Sequence, residues 1–158
     1  MSAFEIRTYS SAETRKIGEI LVEHLAAPFN VLLKGELGAG KTELVRGFLA
    51  KHGFKIIRSP SFTIVNTFET PNYIVHHIDL FRINSLEEIT IRGILDLLEE
   101  QDSIRFIEWP ELILEEIDKE ISVTFTFSIL GETTRNIIVE TLNPSLQERL
   151  RSILNEIK

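Results

Sequence analysis

The sequence contains no cysteine. That removes disulfides, thiolate metal sites and cysteine nucleophiles together, and it suits the reducing cytoplasm where we expect the protein to work. No apolar run approaches the roughly 18 residues of a membrane span, so no membrane partner is expected. Met1-Ser2-Ala3-Phe4-Glu5 lacks the basic-then-apolar order of a signal peptide. Positive charge is also short: 17 Lys and Arg face 24 Asp and Glu, for a net charge of −7. A chain that grips nucleic acid mainly through phosphates is normally basic, so direct RNA or DNA binding is disfavoured. An acidic surface instead suits a partner that is itself basic. Internal repeats, low-complexity segments and interdomain linkers are missing too.

What is present is 158 residues, 43% of them hydrophobic. That length supports one domain with a real core, spanning residues 1–158. The chain is organised around Gly35-Glu36-Leu37-Gly38-Ala39-Gly40-Lys41-Thr42, which has the G-x-x-x-x-G-K-T pattern of a phosphate-binding P-loop. The apolar run Val31–Leu33 precedes it. Leu44, Val45, Phe48 and Leu49 follow at helical spacing. Strand, glycine loop and helix in that order are the context the motif requires. The glycines let backbone N–H groups curl around phosphate oxygens, and the helix start adds its dipole. Lys41 brings a full charge to the β- and γ-phosphates, and Thr42 a hydroxyl for Mg2+. We therefore expect the loop, from Gly35 to Thr42 and on to Glu43, to bind ATP or ADP.

The rest of the chain reads as alternating strands and helices. Phe4–Tyr9 alternates as a strand. Ser10 and Glu13 have capping-box spacing before a helix to about Leu25, which Pro28 keeps from continuing. The P-loop helix ends near Gly53. Strands at 62–68 and 73–79 are close enough to form an antiparallel hairpin. A helix after Ser85 breaks at Arg92-Gly93 and resumes over 94–100. Ile104–Ile107 is a buried strand, and residues 111–118 are a short helix or irregular turn. Ile121–Ile129 and Arg135–Thr141 make a second hairpin around Gly131-Glu132. Asn143-Pro144 starts a last helix running to Lys158. The expected fold is α/β, a three-layer P-loop NTPase-like sandwich with a mixed parallel and antiparallel central sheet.

In open α/β sheets the ligand crevice lies at the C-terminal ends of strands. Glu108 and Asp79 both end strands, so each is a candidate to hold metal or position water. Spacing does not separate those roles from a plain surface carboxylate or a structural ion pair. His76 and His77 are consecutive, so they point to opposite faces, and at most one enters the site. A structural histidine is the ordinary reading. Ser61 and Thr63 lie in a loop and either meet the γ-phosphate or form a turn. Trp109 stacks on a ligand or packs in the core. Arg82, Arg92 and Arg135 are isolated bases, with Arg135 kept among the nucleotide-binding candidates. No Asn-Lys-x-Asp stretch is present to read guanine, which favours ATP.

Four stretches in order carry a resemblance: the P-loop, Ser59-Pro60-Ser61-Phe62-Thr63, His77-Ile78-Asp79-Leu80-Phe81-Arg82 and Ile107-Glu108-Trp109. Together they resemble the TsaE (YjeE) family, small bacterial ATPases needed for threonylcarbamoyladenosine at position 37 of tRNA. The resemblance spans essentially the whole chain. It implies weak ATPase activity alone and action with the TsaB and TsaD proteins, with tRNA reached through those partners. It also implies that 59–63 is a first switch loop, Asp79 a second switch carboxylate near the metal, Glu108 the Walker B acid, and Trp109 a neighbour of the site. Ser61 stands where threonine is common and Phe81 where tyrosine is common, so the latter hydroxyl is lost. Two other readings use the same P-loop. One is a small-molecule or nucleoside kinase, for which no arginine-dense lid is present. The other is a nucleotide-binding module that hardly turns over.

Overall fold

A computed structural model of the protein describes residues 2–157; Met1 and Lys158 lie outside the described residues. The sheet starts with β1 (Ser2–Thr8), followed by α1 (Ser11–Leu21), β2 (Phe29–Lys34) and the P-loop helix α2 (Lys41–Lys51). The hairpin β3 (Val65–Glu69) and β4 (Ile74–Asp79) comes next, then α3 (Leu86–Ile91), α4 (Ile94–Leu97) and β5 (Ser103–Glu108). Two 3-10 turns, Pro110–Glu116 and Lys119–Ile121, lead to β6 (Ser122–Ile129), β7 (Arg135–Thr141) and α5 (Pro144–Leu154). The seven strands lie in the order β1-β7-β6-β2-β5-β4-β3. The inner four, β6, β2, β5 and β4, run parallel, while β1, β7 and β3 pair antiparallel. No described helix is long and apolar enough to cross a membrane.

Each face of the sheet has its own core. On one face Val31, Leu33, Phe106 and Phe125 pack against Ile17 and Leu21 of α1 and Leu44, Phe48 and Leu49 of α2. Leu146, Leu150 and Leu154 of α5 extend that core over β1 and β7. On the other face Leu32, Ile78 and Ile107 pack against Ile89, Ile94 and Ile113. Three layers result, as the periodicity predicts. Helices α1 and α2 touch backbone to backbone: a Cβ on Gly18 would overlap the Leu44 carbonyl, and one on Gly47 the Arg15 carbonyl. That close approach fixes α2, and with it the P-loop, against the rest of the layer.

Four boundaries differ from the sequence reading. Helix α1 stops at Leu21, because Val22, Glu23 and His24 switch to tighter i→i+3 bonds well before Pro28. The strand expected over 62–68 begins only at Val65. Ile64 adopts a φ of 71° and donates to the Pro60 carbonyl at 2.7 Å, so 61–64 forms a turn. Helix α4 ends at Leu97 rather than residue 100, and the carbonyls of Leu98 and Glu100 are taken by Arg105 at 3.0 and 2.8 Å. The end of the last helix, expected at Lys158, comes at Leu154 within the described residues.

Candidate nucleotide site

The C-terminal ends of β2, β4 and β5 meet at one edge of the α2 layer. There the P-loop leaves β2 and turns into α2 at Gly40, whose φ of 110° suits glycine alone among common residues. No side chain caps α2, so its first amides are left for an anion. A cavity of about 520 Å3 opens over this helix start. Its wall is formed by the P-loop from Leu37 to Thr42, by Asp79, Glu108 and Trp109, and by Arg135.

Parallel register sets the acids side by side, with Asp79 of β4 opposite Glu108 of β5. Glu108 is 3% exposed and Asp79 5%. Glu108 Oε2 accepts from the Thr42 hydroxyl at 2.9 Å and faces His77 Nε2 at 2.6 Å. Asp79 accepts from the Phe81 amide at 2.9 Å and the Ser59 hydroxyl at 3.3 Å. Burial pushes the Asp79 carboxyl above its ordinary pKa, with the nearby Glu108 adding to the rise. The Phe81 and Ser59 hydrogen bonds oppose it.

Lys41 reaches back along the loop and donates to the Gly35 carbonyl. Its ammonium also sits 3.7 Å from the centre of the Trp109 ring. Burial lowers its pKa, while Glu108, Asp79 and Glu111 pull it up. Trp109 reaches this place through a φ of 58°, in the left-handed region, as the chain leaves β5. Phe81 packs against it with the rings tilted by 47° and their centroids 4.8 Å apart, so an aromatic pair borders the acids.

Several sequence candidates find different roles. Arg135 is no isolated surface charge: it donates to the carbonyls of Ala39 and Gly38 at 3.2 Å each and to Gly131 at 2.8 Å. It braces the P-loop from β7 while lining the cavity. Glu43 is engaged by Arg15 of α1, at 2.7 Å, and by Arg46. Glu36 sits in the loop beside Leu37, which is 65% exposed. Thr63 is not brought to the acids. The Ile64 turn carries it outward, and its hydroxyl donates to Asn66 at 2.8 Å. Ser59 and Ser61 of the same loop do line the cavity. Arg92 pairs with Glu88 on the surface at 3.2 Å, and Arg82 stacks over Phe62 at the cavity rim.

Ser10, Thr14, Arg46, Glu132 and Thr133 also line the cavity, and the motifs gave no sign of them. Ser10 reads in sequence as a cap, and it is one, accepting from Glu13 N at 3.2 Å. Only the packing of α1 and the β6–β7 turn around the loop reveals the second role. Of the two consecutive histidines one, His77, enters the site and contacts Glu108 directly, while His76 bonds Thr67 and Glu100.

The donor set is hydroxyl and carboxylate oxygen: Thr42, Glu108 and Asp79. Among the described residues no group of three or more His, Cys, Asp or Glu is able to hold a metal unaided. Such a site suits a hard cation that also takes phosphate oxygens and water.

Comparison with known proteins agrees with the geometry. The model of the family described as "Threonylcarbamoyl adenosine biosynthesis protein TsaE" matches residues 8–137. A Borreliella burgdorferi protein named "tRNA threonylcarbamoyladenosine biosynthesis protein TsaE" is 39% identical over 100 residues, covering 63% of this chain and 73% of its own. An Aquifex aeolicus protein of the same name is 33% identical over 138 residues, covering 84% and 92%. The crystal structure of Bacillus subtilis YdiB superposes with a TM-score of 0.72 at 25% identity, over 97% of this chain and 94% of that one. These matches support tRNA modification and not the small-molecule kinase. With the P-loop, the two strand-end acids and this length of shared sequence, the chain belongs to the TsaE family of tRNA threonylcarbamoyladenosine biosynthesis.

Proposed function

We propose that the protein is a Mg2+-dependent ATPase, weak alone, that serves tRNA threonylcarbamoyladenosine formation with the TsaB–TsaD pair in the cytoplasm. Contact with tRNA is made through those partners. The observation that carries this reading is the 2.9 Å contact between Thr42 of the P-loop and the buried Glu108. It joins the phosphate-binding loop to a strand-end acid, as hydrolysis requires.

Thr42, Glu108 and Asp79 are the residues that would hold magnesium, whose charge, when bound, offsets that of the β- and γ-phosphates. The residues from Gly35 to Glu43 bind the phosphates of ATP or ADP through backbone amides. Lys41 exchanges the Gly35 carbonyl and the Trp109 face for phosphate oxygens. Its charge and the helix-start amides stabilise the charge that spreads over the phosphoryl group during in-line attack by water. Glu108, fixed at the cavity wall, orients that water. Arg135 keeps the loop's shape by holding its carbonyls.

ATP hydrolysis by the purified protein, with and without TsaB–TsaD, tests this reading. Strong stimulation by the pair is the expected result. An unchanged, near-zero rate despite tight ATP binding would leave a nucleotide-binding module instead.

A further inference from the structure

His77 touches the site and has no part in the reaction above. It is fully buried in β4, two residues before Asp79 and on the same face of the sheet. Its Nε2 is 2.6 Å from Glu108 Oε2. Its Nδ1 is buried with no hydrogen-bond partner among the described residues. A proton on Nδ1 would be a buried donor with nothing to accept it. The proton of the neutral ring therefore belongs on Nε2, which donates to the carboxylate. His76, facing the other way, is the contrast. Both its nitrogens are partnered, by Thr67 at 2.9 Å and Glu100 at 2.7 Å.

Glu108 Oε2 has two donors, His77 and the Thr42 hydroxyl. In the proposed reaction the Thr42 hydroxyl is engaged by magnesium, which leaves His77 as the donor on that oxygen. We propose that His77 is a positioning residue: its Nε2–H holds the Glu108 carboxylate in the orientation that hydrolysis needs. The inference rests on the ATPase reading above. It assigns His77 no proton transfer and no contact with ATP.

His77→Leu and His77→Gln test it, assayed as full-length protein with TsaB–TsaD and ATP. Glutamine can return an N–H donor near the place of Nε2; leucine cannot. Loss of a partner that orients a ligating carboxylate typically lowers activity ~10–100-fold. We expect that loss in kcat for His77→Leu, with ATP affinity read from Trp109 fluorescence and the unfolding temperature both near wild type. His77→Gln should recover most of the kcat. Imidazole nitrogen NMR of the wild-type protein, free of nucleotide, should place the proton on Nε2. Wild-type kcat in a folded His77→Leu variant overturns the inference, as does a proton on Nδ1. Equal loss in the two variants at unchanged affinity also overturns it. If His77→Leu does not fold, the glutamine variant and the NMR spectrum decide. A wild-type protein that never hydrolyses ATP, even with its partners, sinks the ATPase reading itself. An active wild type matched by His77→Leu sinks only the role of His77.

Discussion

At the N-terminal ends of the parallel strands, Arg105 is fully buried, and each of its side-chain nitrogens has an acceptor. Nε donates to Asn30 at 2.8 Å, Nη1 to Glu100 O at 2.8 Å and Ser103 Oγ at 3.0 Å, and Nη2 to Leu98 O at 3.0 Å. Asn30 passes the network on to Ser122 at 3.3 Å. At the C-terminal ends of the same strands and the start of α2, Lys41, Asp79, His77 and Glu108 are also buried, with fewer partners. There a lysine rests on a backbone carbonyl and an aromatic face, two carboxylates stand side by side, and an imidazole nitrogen is orphaned. Buried polar groups normally end up paired, because an unpaired one loses its hydration for nothing. The first end obeys that rule and is structural. The second withholds full pairing, which leaves groups ready for a phosphate and a cation.

Substitutions at the two ends should separate function from stability. The largest effect is expected for Lys41→Ala, which removes the charge proposed above to meet the phosphates. ATP binding and turnover should both fall, turnover by up to ~1000-fold, in a protein that still folds. Equilibrium binding beside a hydrolysis assay checks this, and tight residual binding would argue against the role of Lys41. Next come Glu108→Ala and Asp79→Ala, each expected to lower turnover by roughly 100-fold while ATP affinity changes far less. Normal turnover in either variant takes that residue out of the catalytic set.

At the structural end, Arg105→Ala takes the guanidinium donor from two buried acceptors, Asn30 Oδ1 and the Ser103 carbonyl, and from the half-buried Leu98 and Glu100 carbonyls. It should destabilise by about 3 kcal/mol, at roughly 1–3 kcal/mol per strongly buried orphan. Turnover per folded molecule should stay as it was. Denaturant unfolding paired with an activity assay reads both, and an Arg105 variant that folds well but hydrolyses poorly would break the contrast.

The smallest effect is expected for Asp79→Asn on stability. The folded protein holds the Asp79 proton more tightly than the unfolded chain does, because burial raises the pKa above 3.8. Ionised Asp79 therefore opposes folding at any pH above its folded pKa, and the penalty disappears below 3.8. The asparagine variant should unfold at a higher temperature than wild type at pH 7. That advantage should shrink as the pH falls through the raised pKa. Thermal scans over pH 3–8 follow it; an advantage that grows on acidification would reverse the assigned direction.

Much of the site was legible because its chemistry is local in the chain. The P-loop is eight consecutive residues, and Glu108 and Asp79 stand at the ends of short apolar runs that read as strands. The hairpin pairing of β3 with β4 and the break at Arg92-Gly93 were equally plain, since loop length and turn residues decide them. Thr63 stays open in the sequence, between a phosphate contact and a turn, because a hydroxyl beside a strand looks available; in the fold Ile64 turns it outward onto Asn66. Arg135 was ambiguous because its partners, Ala39 and Gly38, lie 96 and 97 positions away. The roles of Ser10 and Thr14 in the cavity depend on how α1 lies against α2, which rests on the glycine contacts between two helices. Periodicity finds the apolar face of a helix but does not give its neighbour.

The order of strands and helices, the P-loop motif and the identity of the two acids are all readable from neighbouring residues, because hydrogen bonding, glycine conformation and apolar spacing act over a few positions. The folded arrangement sets Asp79 and Glu108 in register and brings His77 and Thr42 to one carboxylate oxygen. It also sets Arg105 and Lys41 at opposite ends of one sheet. Those relations come from placing β5 between β2 and β4, a long-range choice made by burying both faces of the sheet at once.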